Sequence, residues 1–167
     1  DGIHVSFYDA APNSDLKYLT EAFTYPSSGT FTSGPISLGV GALEWGNLSW
    51  TETLNGGTIT LKARSSATGA FVEGSDTTAW GSCISITNGA ALSTGNCVTN
   101  GHTYIQYQAT LATPDTSTTP ILSDVTIGYA TYATGHFQQG GERRAQRNFV
   151  VARTLNVTRN RKQFGTA

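Results

Sequence analysis

Apolar and polar side chains alternate in short runs along much of this 167-residue chain. That is the period of a strand with one face on a core and the other in water. Thr103–Leu111 alternates most cleanly, with Ile105, Tyr107, Ala109 and Leu111 inward and Tyr104, Gln106, Gln108 and Thr110 outward. Ile59, Leu61 and Ala63 fall on one face of an earlier run, opposite Thr60, Lys62 and Arg64. Val125, Ile127 and Tyr129 supply a later inward face. Leu43 and Trp45, then Leu48 and Trp50, form two alternating pairs whose phase changes at Gly46-Asn47. Near the start, Ile3, Val5 and Phe7 precede a turn at Pro12-Asn13-Ser14-Asp15, after which Leu16 and Tyr18 resume, predicting a hairpin. A short strand is expected over Trp80–Ile86, and a strand of mixed period around Phe149, Val151, Leu155 and Val157.

Turn signals separate these runs. Gly34-Pro35 interrupts one strand and argues for a sheet edge or bulge there, because proline cannot donate to a ladder. Asn55-Gly56-Gly57 predicts a tight turn. Ser65–Thr78 reads as a polar loop around the apolar island Phe71-Val72, and Asn88–Asn100 as a second loop. About six to eight short antiparallel strands without helical period describe an all-β domain, a β-sandwich of jelly-roll type. The chain divides into a β-hairpin over 1–28, the sandwich over 29–135 and a C-terminal extension over 136–167.

Composition sharpens this picture. Only 13 % of residues are charged, too few for a solvated helical surface and in keeping with strands and turns. No apolar run approaches the roughly 18 residues of a membrane helix. The chain lacks methionine, so Asp1 is expected to begin a mature form or a piece of something longer. Charge is split: residues 1–135 hold three basic side chains against ten acidic, whereas 136–167 hold seven basic against one acidic. An acidic body argues against nucleic-acid binding, and the basic extension reads as a part with its own role. Cys83 and Cys97 are the only cysteines. Pairing them closes a loop of about 15 residues, worth about 3 kcal/mol by chain entropy. A zinc site is the rival reading, but no histidine stands at ligand spacing. A disulfide implies an oxidising compartment, extracellular or at the cell surface.

Two resemblances are carried by particular residues. His4-Val5-Ser6-Phe7-Tyr8-Asp9-Ala10 with Asp15-Leu16-Lys17-Tyr18 resembles one blade motif of bacterial β-propellers, present once only. Gly29–Gly39, Ile59–Ser65, Tyr104-Ile-Gln-Tyr-Gln-Ala-Thr-Leu111 and Thr119–Tyr129 together resemble a module that recurs in multidomain bacterial and archaeal secreted and surface proteins. The second resemblance implies a jelly-roll-like fold beside propellers, glycosidases or adhesive domains, and it carries over no catalytic residues.

Candidate chemistry is sparse. His4, His102 and His136 are scattered and form no metal-ligand pair. Glu44, Glu52, Glu73, Asp76 and Asp124 could furnish a glycosidase pair, but they fall in turns and on outward faces. No cofactor is implied beyond a structural Ca²⁺ held by Asp76 and Asp124 with loop carbonyls. Sugars need an aromatic platform with amide or charged neighbours. Trp45, Trp50, Trp80 and Tyr104 are the candidate platforms and Gln106, Gln108 and Arg64 the candidate neighbours, although two of the three tryptophans are expected to fill the core. The expectation is a non-catalytic carbohydrate-binding or adhesive module whose partner is polysaccharide. The alternative is a structural subunit of a fibre or surface layer, a homo-oligomer assembled by exchange of the basic terminal strand. A metal-dependent or hydrolytic enzyme acting on polysaccharide comes third.

Overall fold

The computed structural model describes residues 3–8, 16–21, 24–39, 44–136 and 146–158, with side chains over 24–39 and 44–131. The expected turn at 12–15, Leu43, the side chains of His4 and His136, and the arginine-rich ends of the extension lie outside the described residues. Strands β1 (Ile3–Tyr8) and β2 (Leu16–Glu21) pair antiparallel as the expected hairpin, and no other described strand joins their ladder.

The rest is a two-sheet β-sandwich. One sheet is built on β7 (Tyr104–Ala112). β6 (Thr58–Ser66) pairs along one side of it, while β3 (Ser28–Thr32) and β4 (Ile36–Ser37) pair in tandem along the other. The gap between β3 and β4 falls at 33–35, where Pro35 removes a donor. The other sheet has β8 (Ile121–His136) at its centre, flanked by β5 (Glu44–Thr53) and β9 (Gln146–Thr158). All these ladders are antiparallel. We call them the β7 sheet and the β8 sheet.

Inward residues of both sheets meet in one core: Trp45 and Leu48 from β5, Leu61 and Ala63 from β6, Ile105, Tyr107 and Ala109 from β7, Val125 and Ile127 from β8. Leu48, Leu61, Ile105 and Ile127 are 0 % exposed. The phase change at Gly46-Asn47 is a β-bulge, with the register to β8 slipping between Trp45 and Leu48. The turn after β5 carries Asn55 and Gly56 at φ 48° and 82°, a left-handed pair that an Asn-Gly step adopts cheaply. Here the turn links the two sheets. At the next position a Cβ on Gly57 would stand 2.4 Å from the Ala112 carbonyl oxygen, so only glycine fits.

The expected strand over Trp80–Ile86 does not form. Trp80–Ser82 is a single 3-10 turn, and Ile86 makes one isolated bridge to Leu61. Cys83 and Cys97 are bonded, with Cα atoms 5.5 Å apart. The segment they pin lies along one side of both sheets. Ile86 N–H donates to Leu61 O and Ser65 N–H to Cys97 O, covering the edge of β6. Leu48 N–H donates to Ala90 O and Gly89 N–H to Leu48 O, covering the edge of β5. Asn88 completes that cover by accepting from Trp50 N–H and donating to Trp50 O.

Because the disulfide restrains the segment that closes two strand edges, Cys83→Ser/Cys97→Ser should lower unfolding free energy by about 3 kcal/mol. Urea titrations of the two proteins measure this, and superimposable curves would refute it.

Candidate functional site

Five of the seven residues nominated for ligand binding, Arg64, Trp80, Tyr104, Gln106 and Gln108, converge on the outer side of the β7 sheet, and the convergence has a centre. β6 turns Arg64 away from the core, yet Arg64 is only 6 % exposed, because the loop from Ala67 to Ala79 folds over it. Its guanidinium donates through Nε and Nη2 to Gln106 Oε1 at 3.1 and 3.0 Å. Nη1 donates to Glu73 Oε1 at 2.7 Å and to the Thr78 carbonyl at 3.3 Å. Cζ lies 4.4 Å from the centroid of the Trp80 ring and 5.4 Å from that of Phe71, so two rings flank the cation.

Gln106 passes the connection onward. Its Nε2 donates to the Ser33 carbonyl in the gap between β3 and β4, where Ser33 also exchanges hydrogen bonds with the backbone of Tyr107. One polar chain, Glu73–Arg64–Gln106–Ser33, thus spans the β7 sheet from covering loop to far edge. Among the described residues no buried side-chain nitrogen or oxygen lacks a partner. Arg64 and Gln106 are therefore interior ties rather than exposed ligand contacts, which corrects the expectation drawn from their outward phase. Alternation reports the face of the sheet but not what covers that face.

The loop is organised by a carboxylate. Asp76 accepts from the Ser66 hydroxyl and from the backbone N–H groups of Thr68 and Phe71. Ser66 Oγ in turn accepts from Gly69 N–H at 2.7 Å. The Ser66 hydrogen bond above all holds the Asp76 carboxyl below the ordinary aspartate value of 3.8, against the opposing effect of burial. Phe71 sits at φ 52°, a left-handed conformation costing of order 1–3 kcal/mol in a bulky residue. Its N–H bond to Asp76 and its buried ring beneath Arg64 hold it there. Val72, the other half of the apolar island, is 55 % exposed.

The remaining candidates separate. Tyr104 is half-buried, and Gly69, at φ 82°, lies so close to its ring that a Cβ would approach within 3.0 Å, so one ring face is covered. Trp45 belongs to the core at 4 % exposure, donating from Nε1 to Thr99 O, and is no platform. Trp50 packs partly against the core and donates to Glu52. Trp80 is half-exposed, with Arg64 against its ring. Gln108 is half-exposed and donates to Thr32 Oγ1, while Lys62 Nζ donates to the Trp80 carbonyl. Thr32, Gln108 and Lys62 are register partners across three strands, so they form one row leading to Trp80. Thr30, Thr110 and Thr60 form the next row. Lys62 and Thr32 were not singled out from the sequence, although their outward phase beside Arg64 and Gln108 was the available signal.

Asp76 and Asp124 are not one site. Asp76 is tied to the outer side of the β7 sheet, and Asp124 sits in β8 opposite Thr51, with the core between the sheets. Among the described residues no three His, Cys, Asp or Glu side chains group closely enough to hold a metal ion. His102 Nδ1 lies 3.0 Å from Ser65 Oγ, which also accepts from Thr99 N–H. A shallow groove lined by Tyr25, Pro26, Leu111 and Pro120 takes in none of the nominated residues. No family model, curated protein or solved structure matches this chain.

Two outcomes follow from the Arg64 network. Arg64→Met keeps the aliphatic stem but leaves Gln106 Oε1 without its donors, and should cost about 1–3 kcal/mol. Glu73→Gln, on a side chain 51 % exposed, should cost less than about 1 kcal/mol. Chemical denaturation of both variants decides, and equal losses would show that Arg64 is not the tie described. Because the folded state lowers the Asp76 pKa, its contribution to stability is fully present above the unfolded value near 3.8 and is lost as pH falls through the lower folded value. Asp76→Asn should flatten this acid limb in urea midpoints measured against pH; parallel profiles would remove the assignment.

Proposed function

We propose that this chain is a non-catalytic module of a secreted or surface protein, binding polysaccharide along the outer side of the β7 sheet. The row Thr32–Gln108–Lys62 beside Trp80 carries the reading. Hydroxyl, amide and ammonium groups in one line offer both donors and acceptors to sugar hydroxyls. The half-exposed indole supplies apolar surface for a sugar C–H face. Its backing by Arg64 reduces the side-chain freedom that binding would otherwise have to remove. The surface is open rather than enclosed, which suits an internal stretch of an extended chain better than a chain end. The disulfide is compatible with an extracellular setting, and no described helix is long and apolar enough to cross a membrane.

Affinity electrophoresis and calorimetry over a polysaccharide panel test this proposal. Trp80→Ala and Gln108→Ala should each weaken binding about tenfold, equivalent to about 1.4 kcal/mol. Thr51→Ala, on the other sheet, should bind like the parent. A parent protein retarded by no polysaccharide, or variants indistinguishable from it, would overturn the reading.

One observation favours a second reading. β9 pairs with β8 without interruption from Asp124 to His136, so much of the basic extension is a strand of the β8 sheet. The same ladder could form between two copies, giving a structural subunit joined by strand exchange. Light scattering of the full chain and of a chain lacking 136–167 separates the cases. Oligomers that vanish with the deletion support exchange, and a full chain monomeric at all concentrations excludes it.

A further inference from the structure

Asn47-Leu48-Ser49 has the Asn-x-Ser spacing, with a middle residue other than proline, that N-glycosylating transferases accept. The fold presents it in an unusual way. Because the β5 register slips between Trp45 and Leu48, Asn47 has no ladder partner on β8, and its one bridge is to Ala91. Leu48 is fully buried and anchors the segment, while Asn47 is exposed and Ser49 is half-exposed. The amides of Asn55, Asn88 and Asn100 are each engaged with backbone groups. The Asn47 amide makes no hydrogen bond among the described residues. It therefore contributes nothing visible to the fold that a substituent would disrupt.

A second such triplet, Asn156-Val157-Thr158, occurs in β9. In register Asn156 stands opposite Thr126, and Thr126 stands opposite Ser49, so the two triplets share one row across the β8 sheet. The Cys83–Cys97 disulfide is compatible with the oxidising lumen in which such transferases work.

We propose that Asn47 is an N-glycan acceptor. The donor class is a lipid-pyrophosphate-linked oligosaccharide. The Asn47 amide nitrogen forms a bond to the anomeric carbon, the bond from that carbon to the pyrophosphate oxygen breaks, and the lipid pyrophosphate leaves with the electron pair. The amide nitrogen gives up one proton to a base of the transferase. The glycan stands on the β8 sheet, with the core between it and the row Thr32–Gln108–Lys62, so it leaves that row open.

The test is secretion of the full chain from an N-glycosylating host, followed by peptide mapping before and after peptide N-glycosidase. The enzyme converts a glycosylated Asn47 to Asp, which the peptide mass records. The Asn47 peptide should carry glycan in the parent and in Thr158→Ala, lose it in Ser49→Ala, and retain it in Ser49→Thr, which keeps the required hydroxyl. An unmodified Asn47 peptide in the secreted parent, or one still modified in Ser49→Ala, overturns the proposal.

Discussion

The guanidinium of Arg64 is the group on which the outer half of this sandwich depends. Taking a full positive charge out of water costs several kcal/mol. Here that cost is met by a carboxylate, two backbone or amide oxygens and two aromatic rings, contributed by β7, by the covering loop and by the 3-10 turn at Trp80. Each partner is fixed in return. Gln106 is aimed so that its other end reaches Ser33, Phe71 is drawn beneath the loop, and the Trp80 ring is set beside the exposed row. The arrangement has no slack, since loss of the cation strands acceptors on β7 and on the covering loop at once.

The Asp76 carboxylate is the counterpart of Arg64 within the covering loop. It satisfies two backbone donors that a loop folded over a sheet would otherwise bury unpaired. Together the two groups explain how a polar, glycine-containing stretch between two strands becomes a cover with a definite shape. The strained Phe71 and the half-exposed Trp80 thus both lie against the same guanidinium.

Much of the sandwich was legible in the alternation of residues. Ile105, Tyr107, Ala109 and Leu111 are core, the Gly46-Asn47 phase change is a bulge, and Gly34-Pro35 separates two strands on a sheet edge. What alternation could not give was the third dimension over the outer face. Arg64 and Gln106 have the same outward phase as Lys62 and Gln108, yet the first two are buried and the last two are not. The difference is made by a loop whose path rests on hydrogen bonds accepted by Asp76 and Glu73 from residues 5 to 10 positions earlier, and nothing in the alternation encodes those. Trp80–Ile86 failed as a strand for a related reason. Its residues have strand-like composition, but the disulfide and the edge of β6 bind them one residue at a time, not as a ladder.

The candidate surface and the bulged strand belong to different sheets, which gives the module two chemically distinct sides. The β7 sheet presents threonine rows, an amide and a lysine; the β8 sheet carries the unengaged Asn47.

The segment between the cysteines lies against β5 and β6 alike, and so hides the backbone donors and acceptors of one strand edge in each sheet. Unpaired edges are templates for other chains. A single covalent bond therefore guards two such templates. In a reducing environment that cover would rest only on Ile86 and Leu92, which the segment buries in the core, and on its edge hydrogen bonds, so the disulfide protects solubility as directly as it protects the fold.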